Sequence, residues 1–176
     1  YIQTASSMIP AKVLGPDAGD HVLDMCAAPG SKTTHIAALM GNRGSIDAWD
    51  VYPHKVKLIK DNAKRLGISI IHTEVRDSVK PLPFLYETYD KVLLDAPCSG
   101  LGVLGHKVEL RWRRKESDLS VFPPLQKQLI EQAAKYTKTG GVLVYSTCTL
   151  NPDENEHIIN AVSYTHLRAH ETVLDL

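Results

Sequence analysis

Short apolar runs alternate along this chain with stretches whose apolar positions recur every three or four residues. His21 to Cys26 predicts a first strand, Ala27 to Ser31 a turn, and Lys32 to Met40 a helix that Gly41-Asn42-Arg43-Gly44 breaks. Ser45 to Trp49 predicts a second strand ending at Asp50. Pro53 suits the first turn of a helix whose apolar face is Val56, Ile59, Ala63 and Leu66, and Gly67 caps its end. Ile68 to Val75 predicts a third strand with Asp77 just beyond it, and Tyr89 to Leu94 a fourth ending at Asp95. A long irregular segment, Ala96 to Pro124, comes next. Leu125, Leu129, Ile130, Ala133 and Ala134 mark another helix, which Thr139-Gly140-Gly141 ends. Val142 to Tyr145 predicts the fifth strand, and Asn151-Pro152-Asp153-Glu154 a last helix with an N-cap and an acidic first turn. Strands alternating with helices predict an α/β fold with a parallel sheet covered on both faces.

Composition adds boundaries more than direction. The 176 residues make one domain's worth of chain. Lys+Arg and Asp+Glu are equal at 20 each, so any nucleic-acid affinity must come from a local patch. No apolar run is long enough for a membrane span. The three cysteines, Cys26, Cys98 and Cys148, are odd in number and widely spaced, which suggests neither a zinc site nor a disulfide framework. Free thiols fit a reducing cytoplasm. Taken singly, each reads as a small buried hydrophobe.

Placement changes that picture. In open parallel sheets, ligands bind beyond the carboxyl ends of the strands. Asp24 with Cys26, Asp50, Asp77, Asp95 and Cys148 fall at or just past the five predicted ends. Turn chemistry alone does not account for so regular a series. The first turn, Cys26-Ala27-Ala28-Pro29-Gly30-Ser31-Lys32, is small-residue rich and leads into a helix N-terminus. It is not a P-loop, because Ser31 separates Gly30 from Lys32, and it lacks a dinucleotide G-x-G-x-x-G. Asp50 lies 20 residues after Gly30, where an acid can hold ribose hydroxyls. A nucleoside cofactor that needs no phosphate grip fits this combination, and S-adenosylmethionine is such a cofactor.

Asp95-Ala96-Pro97-Cys98 and Ser146-Thr147-Cys148 each put a thiol at a strand end. Methylating C5 of cytosine is hard because that carbon is a poor nucleophile. A thiolate added at C6 pushes electron density onto C5, dividing one difficult step into easier ones. A free thiol has a pKa of roughly 8.5, so the site must favour the thiolate. Asp95, three residues from Cys98, is placed to bond the N3/N4 edge of the base. Spacing does not rank the two cysteines. Downstream, His106 to Lys115 carries Lys107, Arg111, Arg113, Arg114 and Lys115 around Trp112, a combination suited to phosphate contact and base stacking.

The motifs Asp24-Met25-Cys26-Ala27-Ala28-Pro29-Gly30-Ser31-Lys32-Thr33-Thr34, Asp95-Ala96-Pro97-Cys98-Ser99-Gly100 and Ser146-Thr147-Cys148-Thr149-Leu150-Asn151-Pro152-Asp153-Glu154-Asn155-Glu156 resemble those of the RNA cytosine-C5 methyltransferases. Within that family they are most similar to the bacterial small-subunit ribosomal RNA enzymes of the Sun/Fmu type. The resemblance covers about Tyr1 to Val162. It implies a Rossmann-like class I fold and methyl transfer from S-adenosylmethionine to C5 of a cytidine in ribosomal RNA. It also implies roles. Cys26 to Lys32 form the cofactor loop, Asp50 holds the ribose, Asp77 lies by the adenine, and Asp95 sits between cofactor and base. Cys148 is the nucleophile and Cys98 assists product release. RNA is the implied partner, and no metal is expected.

Two positions depart from the family pattern: Ser31 stands in place of a second Gly, and Lys107 in place of a Pro. The family fold continues with two further strands and is preceded by an RNA-binding region. The expectation is therefore a catalytic domain over residues 1–162, incomplete at both ends. Ser163 to Thr172 back-translates as a transposase sequencing adaptor, so residues 163–176 are expected to be a non-native tail, and the His166/His170 pair within it is given little weight as a metal site. Three other functions stay open on sequence: a tRNA enzyme, a DNA cytosine-C5 methyltransferase with Cys98 as nucleophile, and an inert cofactor-binding RNA module.

Overall fold

The computed structural model describes residues 3–103, 105, 112 and 119–163. Five strands form one sheet: β1 (His21–Asp24), β2 (Ser45–Asp50), β3 (Ile71–Val75), β4 (Tyr89–Asp95) and β5 (Thr137–Ser146). Their spatial order is β3-β2-β1-β4-β5 and every pairing is parallel. Among the described residues the helices are α1 (Ala5–Leu14), α2 (Ser31–Leu39), α3 (Pro53–Arg65), α4 (Phe122–Tyr136) and α5 (Glu156–Ser163).

Alternation along the strands sends side chains to two cores. Val22, Ile46 and Leu93 point to one face, where Ala11 and Leu14 of α1 and Ile36 of α2 cover them. Ile59 of α3 packs on Ala48 on that same face. Leu23, Trp49, Val92 and Leu94 point the other way, under Leu129, Ile130 and Ala133 of α4 and Ile158 and Val162 of α5. Trp49 is the keystone there. Tyr136 and Tyr89 meet its ring edge-on at 5.7 and 6.4 Å, and Arg76 lies 5.0 Å over it. The expected α/β architecture with both faces covered is what the chain adopts.

Several boundaries differ from the sequence pattern, each for a local reason. Helix α1 has no predicted counterpart, because Pro10 sits inside it and reads as a breaker. Strand β3 starts at Ile71 rather than Ile68, since the Ile68 N–H turns back to the Ala63 carbonyl and closes α3. Helix α4 stops at Tyr136, and residues 139–141, expected to end it, belong to β5. The extra residues sit where the β4–β5 register shifts, between Tyr89↔Thr137 and Lys91↔Val142. The segment opening at Asn151 is first a 3₁₀ turn, Pro152–Glu154, and α5 comes after it. Asn151 does cap the turn, its side chain accepting from the Asp153 N–H. Ser163 is the last residue of α5. Residues 164–176, the remainder of the expected foreign tail, lie outside the described residues.

Strand order reverses between β1 and β4, so the crevice beyond their carboxyl ends is the topological switch point of the sheet. Asp24, Asp50, Asp95 and Ser146 are the last residues of their strands and surround it.

Candidate active site

The turn after β1 forms the floor. The Ala27 N–H donates to the Trp49 carbonyl at 2.8 Å, and the Gly30 N–H to the Ala27 carbonyl at 2.7 Å. Asn62 of α3 donates to the Pro29 carbonyl at 2.9 Å, and Gln3 to the Ser31 carbonyl at 2.6 Å. Gly30 has φ 98°, and a Cβ there would lie 3.2 Å from Ile59 Cα, so both backbone conformation and packing against α3 call for glycine. Lys32 sits in the first turn of α2, aimed back over the turn.

Acids line the rim. Asp24 is 1% exposed; Thr33 Oγ1 donates to its Oδ2 at 2.7 Å, while Oδ1 has no partner among the described residues. Burial pushes this carboxyl up to about 7, with Asp95 adding to the effect and Thr33 and Lys32 opposing it. Asp50 is buried and accepts the Tyr52 N–H at 3.0 Å. The Arg76 N–H donates to the Asp50 carbonyl at 2.9 Å, which draws the end of β3 beside the end of β2. Asp77 accepts the Val79 N–H at 3.2 Å, and Ser78 Oγ pins the same turn to the Met25 carbonyl at 2.7 Å. Cys26 lies among these groups. Burial, then the charges of Asp24, Asp50 and Asp95, push its thiol well above the ordinary range, so it is no thiolate.

Asp95 joins the two halves of the crevice. Its Oδ2 lies 2.7 Å from Lys32 Nζ, and its Oδ1 accepts Ser146 Oγ at 2.7 Å. Beyond it the two cysteine-bearing loops converge. Cys98 Sγ is 3.1 Å from Cys148 Sγ and accepts the Cys148 N–H at 3.3 Å. Cys98 is buried and Cys148 exposed. The neighbouring Cys148 sulfur, then burial, push the Cys98 thiol far upward. Gly102 closes over the pair: its N–H donates to the Cys148 carbonyl at 3.0 Å, and a Cβ on it would stand 3.0 Å from that same oxygen.

The structure thus gathers Cys26 to Lys32, Asp50, Asp77, Asp95, Cys98 and Cys148 on one rim. Trp112 is 87% exposed. Lys107, Arg111, Arg113, Arg114 and Lys115 lie outside the described residues. Among the described residues no group of three metal-ligating side chains occurs, and no helix is long and apolar enough to cross a membrane. A cavity of about 420 Å³ lies elsewhere, among α1, α2 and the turn after α3, and no acid or cysteine lines it.

Sequence reasoning misses three partners. Ser146 enters it only as part of a motif, though its neighbour Cys148 marks the spot. Thr33 likewise enters only within a motif, with no partner assigned. Glu154, expected only as part of an acidic first turn, is fully buried.

The all-parallel sheet, the acidic strand ends and the small-residue turn are those of a class I S-adenosylmethionine-dependent methyltransferase fold. NSun6 from Pyrococcus horikoshii, solved with SFG, an analogue of S-adenosylmethionine, superposes with a TM-score of 0.85 at 41% identity, over 93% of this chain and 42% of that one. The family model described as 16S rRNA methyltransferase RsmB/F matches residues 11–175, and the chain belongs to that family. It is 45% identical to a Bacillus subtilis protein named "Probable ribosomal RNA small subunit methyltransferase B", over 94% of this chain and 37% of that protein. It is 43% identical to the mouse "tRNA (cytosine(72)-C(5))-methyltransferase NSUN6", over 89% of this chain and 35% of that protein. The chain therefore spans little more than a third of the length of these curated relatives.

Proposed function

We propose that this chain is the catalytic part of an enzyme that methylates C5 of a cytidine in RNA, with small-subunit ribosomal RNA as the first substrate to test. The observation that carries the reading is the pair of sulfurs 3.1 Å apart beside the Asp95–Lys32 pair. One thiol is enough to activate cytosine; two in contact suit a reaction that must both add to the base and release it.

The donor set fits S-adenosylmethionine. Its ammonium, sulfonium and ribose hydroxyls are cationic or hydrogen-donating, and the rim offers acceptors, including the buried Oδ1 of Asp24, unpartnered among the described residues. Asp24 and the turn from Cys26 to Lys32 would hold the amino-acid end, Asp50 the ribose, and Asp77 the adenine side. When bound, this cofactor supplies an electrophilic methyl group.

The chain's own residues do the rest. Cys148, exposed and reachable, adds as thiolate to C6, and the electron pair of the C5–C6 π bond is placed at C5, where it would bond the methyl group that a bound cofactor supplies. Asp95 accepts a hydrogen bond from the exocyclic amine and holds the base flat over the rim. Bonding Cys148 to carbon removes the thiolate whose hydrogen bond and charge help to raise the buried Cys98 thiol. Cys98 then loses its proton to solvent and takes the proton from C5. The C5–H electrons restore the C5–C6 double bond and expel Cys148 as thiolate.

The burial difference opposes the DNA-type alternative, in which Cys98 would attack. The relative named as a tRNA enzyme keeps tRNA as a second substrate class. Free thiols fit a reducing, cytoplasmic setting. The test is the fate of the adduct in the full-length protein. Cys98→Ala is expected to accumulate a covalent protein–RNA complex on denaturing gels, and Cys148→Ala to form none. Equal loss of activity with no adduct in either variant overturns the reading.

A further inference from the structure

We infer that Glu154 is a positioning residue that clamps the two cysteine-bearing loops together and so sets the separation of the sulfurs; the inference rests on the function proposed above. Glu154 is fully buried, and so is Gln126 of α4. Glu154 Oε2 accepts the Ser99 backbone N–H at 2.8 Å, one residue after Cys98. The same oxygen accepts Gln126 Nε2 at 3.1 Å, and that amide also donates to the Pro97 carbonyl at 2.9 Å, one residue before Cys98. The other oxygen, Oε1, accepts Asn151 Nδ2 at 3.2 Å, three residues after Cys148. One carboxylate thus holds the Ser99 flank of Cys98 directly, the Pro97 flank through Gln126, and the downstream flank of Cys148.

The neighbourhood is built for it. Ser99 Oγ and Thr149 Oγ1, both buried, meet at 2.7 Å and stitch the loops a second time. Tyr145 donates its hydroxyl to the Glu154 carbonyl at 2.7 Å, fixing the 3₁₀ turn against β5. Burying a carboxylate without partners is costly, and here three N–H donors compensate it. No apolar side chain could take its place without taking from the Ser99 N–H, and from one N–H of the Gln126 amide, the acceptor they share. Glu154 bonds residues that flank the cysteines. Its effect on the reaction runs through loop geometry, and a small misplacement of reacting groups costs rate steeply.

The experiment uses the full-length protein and two readouts. Diamide, which removes two hydrogens from a close thiol pair and leaves a disulfide, measures the proximity of Cys98 and Cys148 without RNA or cofactor. Steady-state kinetics measures methyl transfer. In Glu154→Gln, isosteric and able to keep only part of the network, Cys98–Cys148 oxidation should slow and kcat fall by about tenfold or more, with the KM for RNA and the Kd for S-adenosylmethionine within about twofold. Gln126→Ala, which removes the Pro97 and Glu154 contacts but leaves the carboxylate, should give a smaller fall in both. Unchanged oxidation and kcat overturn the clamp, as does a loss expressed in KM or cofactor affinity instead. Slower oxidation in the variant together with a wild type that methylates no cytidine upholds the clamp and refutes the function.

Discussion

Lys32 Nζ lies 2.7 Å from Asp95 Oδ2, so the turn after β1 and the motif after β4 are joined by an ion pair across the switch point of the sheet. The two side chains are 17% and 32% exposed. Solvent still screens such a pair, so its worth to stability is modest, about 1 kcal/mol or less. Its worth to the reaction is different. Asp95→Asn keeps the shape but leaves Lys32 without its counter-charge. We expect kcat to fall by about 10²-fold or more while the urea midpoint barely moves. Single-turnover methyl transfer and a denaturation curve check the two halves of that expectation.

Asp24 makes stability depend on pH. Unfolded, its carboxyl titrates near 3.8; folded, at about 7. The folded state therefore holds the proton more tightly. The stability this gives is complete below the unfolded value and is lost as pH rises through the folded one. Asp24→Asn cannot ionise and should escape the loss. Between pH 4 and 7.5 the variant should gain on the wild type by on the order of a few kcal/mol. Urea midpoints across that window test it, and parallel profiles would place the proton elsewhere.

Gly102→Ala probes the cysteine loops from the opposite side. The new Cβ would stand 3.0 Å from the Cys148 carbonyl oxygen, closer than ordinary contact, and would push that backbone outward. Adduct formation in a Cys98→Ala background should slow by about tenfold, because the nucleophile is displaced while its chemistry is intact.

Trp112→Ala tests RNA contact. A ring 87% exposed contributes little to the folded core. If it stacks on a base, its loss weakens RNA binding by about 1–3 kcal/mol and leaves cofactor affinity and melting temperature unchanged. Fluorescence anisotropy with a labelled small-subunit RNA hairpin gives the number.

Much of this site is legible in the sequence, because strand ends, small-residue turns and cysteines are local features. The acids and thiols of the rim stand directly behind apolar runs, where a strand's carboxyl end is expected. Pairings are harder. Nothing in the spacing of Lys32 and Asp95 says that they meet, since only the parallel β1–β4 register brings them together. Glu154 misleads for a related reason: an acid at a helix start is usually solvated, and its burial depends on Gln126 and Ser99, both distant in sequence. Pro10 hides helix α1. The bulge in β5 disguises a ten-residue strand as a four-residue one.

The two tryptophans of the chain occupy opposite environments. Trp49, 2% exposed, lies one residue before Asp50 and carries the Arg76 guanidinium on its face; Trp112 stands in solvent. Their fluorescence therefore separates naturally. The buried indole emits to the blue and resists iodide, and the exposed one emits to the red and is quenched. Filling the ribose side of the crevice should perturb the first, and engaging a nucleic acid the second, so an unlabelled sample carries its own pair of optical reporters.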